Sequence, residues 1–380
     1  MQPAQHHDVI VLGLGAMGAA TAYQLARRGA RVAGFDQYHP PHQQGSSHGD
    51  TRITRLAVGE GSEYVPIVKR SHELWAEIGS EAETTIIENV GGLILGEAGN
   101  DFFEQTIRSA AEYAVPIEIL DPLRLHKEFP MFSGTAETLA IYEPSAGFVR
   151  PERAIQAQLE LAAELGAKLH FNARIEKVET TGERAAVFSS DGSIDTADQI
   201  VIAAGPWVSQ MLPKLAVEVH LQALHWFPIR KGYAELAQMP IFIWEFSHQL
   251  GDFVYGFPAI DGPGGGVKVA TETYAAARNI QDGKPEPGPE LAAAIFREYV
   301  KPNLPWLGSE PLRSLFCFYT VSADHRFIID QLDSDIWLIS ACSGHGFKHS
   351  PAIGEAVAER ILTGRSSLDL SSFALDSKIL

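Results

Sequence analysis

The stretch "DVIVLGLGAMGAATAYQLARRGARVAGFDQ", residues 8–37, decides the fold. Asp8 to Leu12 is an apolar, β-branched run of strand length. Ala16 to Arg28 has helical character, with Met17, Ala20 and Leu25 toward one side, and Gly29 stops it. Arg31 to Phe35 reads as a second strand that closes at Asp36. Together they make a βαβ unit. Gly13, Gly15 and Gly18 stand between the first strand and the helix as G-x-G-x-x-G. The first glycine permits the tight turn, the second lets backbone approach a pyrophosphate, and the third lets helix and strand pack closely. The helix then turns its positive end toward the phosphates. Asp36 follows Gly18 by 18 residues, about where the acid that binds a ribose belongs. A structural glycine turn alone would need neither the acid nor its spacing. The glycines by themselves do not separate NAD from FAD.

The chain has 380 residues, more than one core usually organises, so two domains or one elaborated α/β unit is expected. Its 45% hydrophobic and 20% charged residues are ordinary for a globular protein. The formal charge of −17 argues against nucleic acid or an anionic membrane as partner, since both need a basic surface. Two cysteines build no disulfide framework, and a reducing, cytoplasmic setting is the simpler expectation. The opening "MQPAQHHDVIVLG" has neither a basic nor an apolar leader segment, and no apolar run reaches membrane-spanning length.

Beyond the βαβ unit lies "YHPPHQQGSSHGDTRITR", a long polar loop of the kind that is usually functional. Helices are expected over Tyr64 to Ile78, Asp101 to Glu112 and Pro151 to Leu165. Strands are expected within "ENVGGLILGE" and "AVPIEILDP". Residues 167–205 alternate like antiparallel strands joined by glycine turns, ending in a buried strand Gln199 to Ala204. From about Val219 to Phe316 the pattern is strands with Gly/Pro turns, one helix near Leu291 to Val300, and a surface loop "DGKPEPGPE". "FIIDQ" and "IWLISAC" read as strands, and Pro351 to Leu362 as a closing helix.

Several side chains are candidates for chemistry. Ser46, His48, Arg52 and Arg55 lie in "GSSHGDTRITR". The two arginines, three apart, share a face on a helical turn and point oppositely in an extended one. Beside a nucleotide they suit a phosphate or carboxylate, and otherwise they decorate an exposed loop. "SGHGFKHS" carries Gly344, His345, Gly346 and Lys348 in a loop able to offer backbone N–H groups to an anion. His345 and His349 are four apart but lack the helix and carboxylate of a zinc site, so no metal is expected. Lys268 lies mid-strand in "GGGVKVATE", with Ala270 and Glu272 on its face. Pointing outward it is ordinary; pointing inward it needs a partner or a function. Cys317, between Phe316 and Phe318, reads alone as a buried inert thiol, and Cys342 likewise.

Taken together, "PPHQQGSSHGDTRITRLAVGEGSEYVPIVKRSHELW", "YEPSAGFVRPERAI", "YGFPAIDG", "VKVATE", "CFYTVSADHRFIID" and "SGHGFKHSPAIGE" resemble the monomeric sarcosine oxidase and N-methyl-L-tryptophan oxidase family, among the D-amino-acid-oxidase-like flavoproteins. The resemblance spans nearly the whole chain. It implies an α/β fold with an α+β second domain: a Rossmann-like FAD-binding domain of the glutathione-reductase/hydroxylase type, formed by 1–85, 147–218 and 317–380. A substrate domain with a mainly antiparallel sheet would comprise 86–146 and 219–316. It implies FAD rather than NAD, bound at Gly13, Gly15, Gly18, Asp36, Ser46, His48, Arg52 and the 344–348 loop. In the family, the cysteine matching Cys317 forms a thioether to the 8α carbon of the flavin. The residues matching Arg55 and Lys348 hold the substrate carboxylate. Those matching Arg52 and Lys268 lie by the flavin, the lysine being tied to oxygen activation, and that matching Tyr255 lines the substrate pocket.

Three departures put substrate choice in question. Glu272 stands where sarcosine oxidase has a histidine, "VHLQALHWF" lacks the family's arginine, and Ile243 replaces a methionine approximately. Glu272 either favours a basic substrate or pairs with a cation of the chain. The resemblance implies an oxidase of N-methyl amino acids using O₂, acting as a monomer or weak dimer. Alternatives are oxidation of another amine, or electron delivery to a carrier other than O₂.

Overall fold

The computed structural model describes residues 5–181, 184–246, 252–272 and 279–375. Strand His6–Leu12, helix Ala16–Arg27 and strand Val32–Phe35 form the expected βαβ unit. Val9 to Leu12 are all buried without alternation, as in a parallel strand covered on both faces. Lys168–His170, Val32–Phe35, His6–Leu12, Ile194–Ile202 and Ile336–Ser340 lie side by side in parallel. Ile328–Asp333 adds an antiparallel edge. Helices Ala16–Arg27, Val65–Glu81, Pro151–Glu164 and Ser350–Thr363 pack against one another over one face of this sheet.

A second large sheet runs in the order Arg313–Ser322, Val217–Phe227, Val267–Thr271, Phe253–Phe257, Ile241–Glu245, Gly92–Gly96, Leu139–Glu143, Glu118–Leu120. It is antiparallel except where Ile241–Glu245 meets Gly92–Gly96. The mixed α/β architecture is thus the one expected. In Arg313–Ser322 the period of two turns Cys317, Tyr319 and Val321 to one face and Phe316 and Phe318 to the other.

Three expectations change. Residues 167–205 are not uniformly antiparallel, because Lys168–His170 pairs parallel to Val32–Phe35. Ile194–Ile202 is one long strand whose first half pairs antiparallel with Arg184–Ser189, while its second half runs parallel to Ile336–Ser340. The turn glycine Gly182 lies outside the described residues. The late helix starts at Pro289 and loosens into a π-turn at Phe296–Val300. The polar loop after residue 37 contains a short strand, Arg52–Thr54, paired with Gly147–Val149.

The closing helix is fixed by one close approach. A Cβ on Gly354 would lie 2.6 Å from the Ala20 carbonyl carbon and 2.8 Å from the Ala20 Cβ. Gly354→Leu is therefore expected to destabilise the fold by about 1–3 kcal/mol through overpacking. Leu123→Ser, at a residue 84% exposed, should change stability by less than about 0.5 kcal/mol. Urea unfolding of the two variants checks the contrast.

Candidate functional site

A cavity of about 1230 Å³ is lined by strands of both large sheets and by the loops beside them, among the lining residues Gly13, Asp36, Arg52, Lys268, Cys317 and Lys348. At one end is the glycine turn. Gly13 has φ +88, and a Cβ there would sit 2.5 Å from Ala203 O. A Cβ on Gly18 would fall 1.7 Å from Gly13 O, so only glycine lets the helix start this close to the strand. Gly15 differs: the nearest atom to an added Cβ is Ser47 Oγ at 3.6 Å, which leaves the cavity side of the turn open. Asp36 accepts the Leu14 N–H at 2.8 Å and the Tyr38 N–H at 2.9 Å. The acid thus braces the turn, and a carboxylate has lone pairs beyond these two bonds.

In the middle, Arg52 donates to Ser46 O at 2.6 Å, Thr51 O at 2.8 Å and Cys317 Sγ at 3.3 Å. His48 is buried with Nε2 3.4 Å from the same sulfur. Burial above all, then Lys284 and Arg52, pushes its pKa down to about 3, so the ring is neutral. Lys268 points inward and is 2% exposed. Its Nζ donates to Gly49 O at 2.8 Å, Thr51 O at 2.8 Å and Thr51 Oγ1 at 2.9 Å, with the Phe257 ring centroid 4.3 Å away. Burial, and Arg52 after it, lower the lysine's pKa well below its ordinary value. Two N–H groups go to the two carbonyls, and the Thr51 hydroxyl either accepts a third from the ammonium or donates to the lone pair of the neutral amine.

At the far end, the arginines part as an extended segment dictates: Arg52 toward Cys317, Arg55 toward Glu60. Arg55 is 1% exposed, so the exposed-loop alternative is excluded. It binds Glu60 at 2.6 Å, and Lys348 reaches the other oxygen of Glu60 at 3.3 Å and His345 O at 3.0 Å. Burial would raise the Glu60 pKa, but Arg55 and then Lys348 hold it well below the carboxylate range. Burial brings Lys348 down to about 8. Tyr255 and Tyr319 share a 2.9 Å hydroxyl hydrogen bond, and Glu272 also lines the cavity. Gly344, His345 and Gly346 border this end.

The cavity wall holds buried polar atoms with no hydrogen-bond partner among the described residues: Ser46 Oγ, Arg55 Nε and Thr320 Oγ1. Each orphaned group costs roughly 1–3 kcal/mol unless a ligand satisfies it. Such atoms, beside an open glycine turn and a row of cations, fit a large anionic dinucleotide. No group of three or more metal-ligating side chains occurs among the described residues.

Sequence reasoning missed three residues. Glu60, flanked by glycines five positions after Arg55, carried a faint signal. Lys284 belongs to the expected surface loop, yet its Nζ reaches inward to His48 Nε2 at 2.8 Å and Gly45 O at 3.2 Å. Glu152, in the first turn of Pro151–Glu164, accepts the Gly49 N–H at 2.7 Å and the Asp50 N–H at 3.2 Å. Nothing local in the sequence marks the last two.

A sequence model of the family described as "FAD dependent oxidoreductase" matches residues 8–360. The chain is 34% identical to monomeric sarcosine oxidase of Streptomyces avermitilis, covering 97% of this chain and 96% of that one. It is 32% identical to N-methyl-L-tryptophan oxidase of Yersinia pestis, over 97% and 98% respectively. Among solved structures, NikD, an unusual amino acid oxidase, is similar with a TM-score of 0.84 at 21% identity, over 99% of both chains. L-proline dehydrogenase from P. horikoshii gives 0.82 at 22% identity, over 98% and 97%. These two speak to the fold.

Glu60→Gln should destabilise the protein at neutral pH by about 3 kcal/mol, because it leaves buried Arg55 without its counter-charge. A carboxylate held down in the fold contributes fully above its ordinary value of 4.5 and loses that contribution as pH falls through the lower folded value. The stability gap between wild type and Glu60→Gln should therefore narrow below pH 4.5 in urea unfolding.

Proposed function

From the premise that the chain belongs to the FAD dependent oxidoreductase family, we propose that it is an oxidase of secondary N-methyl amino acids, forming the demethylated amino acid, formaldehyde and hydrogen peroxide. The observation that carries the substrate half is the meeting of Arg55 and Lys348 on a carboxylate, that of Glu60. A pair that grips one carboxylate suits a second, and Arg55 Nε is a buried donor with no partner among the described residues.

FAD would lie along the glycine turn, with its pyrophosphate at the N-terminus of Ala16–Arg27, Asp36 near its ribose, and its ring toward Arg52, Lys268 and Cys317. Ser46, His48 and the loop carrying Gly344, His345 and Gly346 complete its surroundings. Bound there, FAD supplies a two-electron acceptor for the C–H bond beside the amine nitrogen and passes the electrons to O₂. Arg55 and Lys348 orient the substrate by its carboxylate. Tyr255 and Tyr319 line the substrate side. The cations along the wall favour the uncharged amine, the form from which a hydride equivalent can leave. The resulting imine hydrolyses to amino acid and formaldehyde. Lys268 keeps positive charge fixed where O₂ gains negative charge. Cys317 is the anchor of the flavin through a thioether at the 8α carbon; its cavity-facing side of the strand and the nearby Arg52 support this.

A second reading, oxidation of a basic amine, has one observation for it. Glu245 pairs with Phe253, whose carbonyl accepts the Glu272 N–H, so both acids border the same aromatic residue on the cavity wall. We read the chain as two interleaved domains with the boundaries given above. The support is that the two large sheets draw their strands from the two sets of segments, except that Val217–Phe227 and Arg313–Ser322, both of the second sheet, straddle the boundaries at 218 and 317. The expected setting is the cytoplasm, as a monomer or weak dimer. Two unpaired cysteines suit a reducing compartment, and no helix among the described residues is long and apolar enough to cross a membrane.

Aerobic turnover of N-methyl amino acids should yield formaldehyde and peroxide in equal amounts. Peroxide without formaldehyde would point to another amine, and reduction of added carriers with negligible O₂ use would point to a dehydrogenase. Acid precipitation should leave the yellow colour with the protein, and Cys317→Ser should release it to the supernatant.

A further inference from the structure

Glu152 lies outside the cavity lining, half-buried at the start of helix Pro151–Glu164, and would touch neither substrate nor flavin. Its partners give it a role. One peptide group, the Gly49 carbonyl with the Asp50 N–H, bridges it to Lys268. The N–H donates to Glu152 Oε1 at 3.2 Å while the carbonyl accepts from Lys268 Nζ at 2.8 Å. The Gly49 N–H donates to the same Glu152 oxygen at 2.7 Å. Two residues on, the Thr51 carbonyl and the Thr51 hydroxyl are the remaining oxygen partners of Lys268 Nζ. A carboxylate that accepts a peptide N–H polarises that peptide, and the carbonyl on its other side becomes the better acceptor. The turn Gly49–Thr51 therefore joins a carboxylate to a buried ammonium with no direct contact between them.

We propose that Glu152 is a positioning residue for Lys268: through the Gly49–Asp50 peptide it holds the lysine in place and in its charged form. The proposal rests on the reading of Lys268 as the cation of the oxygen step, and it deepens that reading. Of the other groups facing Lys268, only Cys317 favours its charged form, and it does not hold the lysine's acceptors. Arg52 opposes the ammonium, and His48 is neutral. Phe257 and Trp226 offer ring faces at 4.3 and 5.5 Å, which attract a cation but fix no proton count. Cys317 and Glu152 favour the charged lysine, and Glu152 also holds the turn that carries its acceptors.

The test uses the full chain produced without flavin and reads the proton on Lys268 directly. Cyanate carbamylates neutral amines, and mass spectrometry of the peptide containing Lys268 reports its rate as a function of pH. Glu152→Gln keeps an oxygen for the two N–H groups and removes the charge. Its Lys268 should carbamylate roughly tenfold faster than wild type at a pH below the onset, equivalent to an onset about one pH unit lower. Glu152→Asp, which keeps the charge, should restore most of the protection. An onset unchanged in Glu152→Gln overturns the proposal.

A second measurement covers poor folding of the variant. Glu152→Gln should lower the urea midpoint less in a Lys268→Met background than in wild type. Equal losses would make Glu152 a helix-end acid only and overturn the link to Lys268. The oxygen role is tested separately in flavin-loaded protein. Glu152→Gln should slow reoxidation by O₂ increasingly as pH rises while leaving substrate reduction of the flavin unchanged. A shifted carbamylation onset with normal reoxidation would keep the link between the two residues and remove the oxygen role of Lys268.

Discussion

The amine of Lys268 is buried beside aromatic rings, and three oxygens of one turn, Gly49–Thr51, lie within hydrogen-bond distance of it. A buried charge without such partners would neutralise or unfold its surroundings. This one interaction ties the long polar loop to the middle of the second sheet. Once the turn is fixed there, the strand Arg52–Thr54 that follows has a fixed direction. Arg52 then faces Cys317, and Arg55, three residues on, reaches Glu60 and Lys348. The Glu152 contact from the first layer of helices holds the same turn from behind. The cavity is thus a seam between two sheets, with two of its cations, Arg52 and Arg55, set by one loop.

Positive charge along that seam suits two different anionic demands. In the proposed function the glycine turn and helix N-terminus would meet a pyrophosphate through backbone N–H groups, and Arg55 with Lys348 a substrate carboxylate through side chains. The chain as a whole is strongly acidic, with formal charge −17, so the cations of the seam are a local arrangement against the general balance. Burial makes each of them matter more, because the low dielectric that penalises a charge also strengthens its effect on whatever is bound.

What was legible in the sequence was what local geometry dictates. The turn at Gly13 to Gly18 follows from steric facts about neighbouring residues, and the structure shows that a Cβ on Gly13 or Gly18 would overlap backbone. The alternation that turns Cys317 and Tyr319 to one face, and the phenylalanines to the other, follows from strand period. Whether Lys268 met partners inside depended on a turn 219 residues away, and whether the two arginines lay on a helix or a strand depended on pairing with the distant Gly147–Val149. The roles of Glu60, Glu152 and Lys284 also come from such distant contacts. Lys284 in particular sits in a stretch of Gly, Pro and Glu that has every local mark of an exposed loop. Family resemblance supplied the candidate residues, but only the structure shows that Arg55 and Lys348 converge on a carboxylate of the chain itself.

In the proposed function this seam binds an amino acid by its carboxylate and oxidises it at the carbon beside nitrogen. It is tested most directly by anaerobic mixing of the flavin-loaded protein with N-methylglycine, N-methyl aromatic amino acids and the corresponding N-methylamines that lack the carboxylate, followed by flavin absorbance. At least one N-methyl amino acid should bleach the flavin rapidly, and its decarboxylated counterpart should do so only at far higher concentration. Equal bleaching by the two, or none by any N-methyl amino acid, would contradict it.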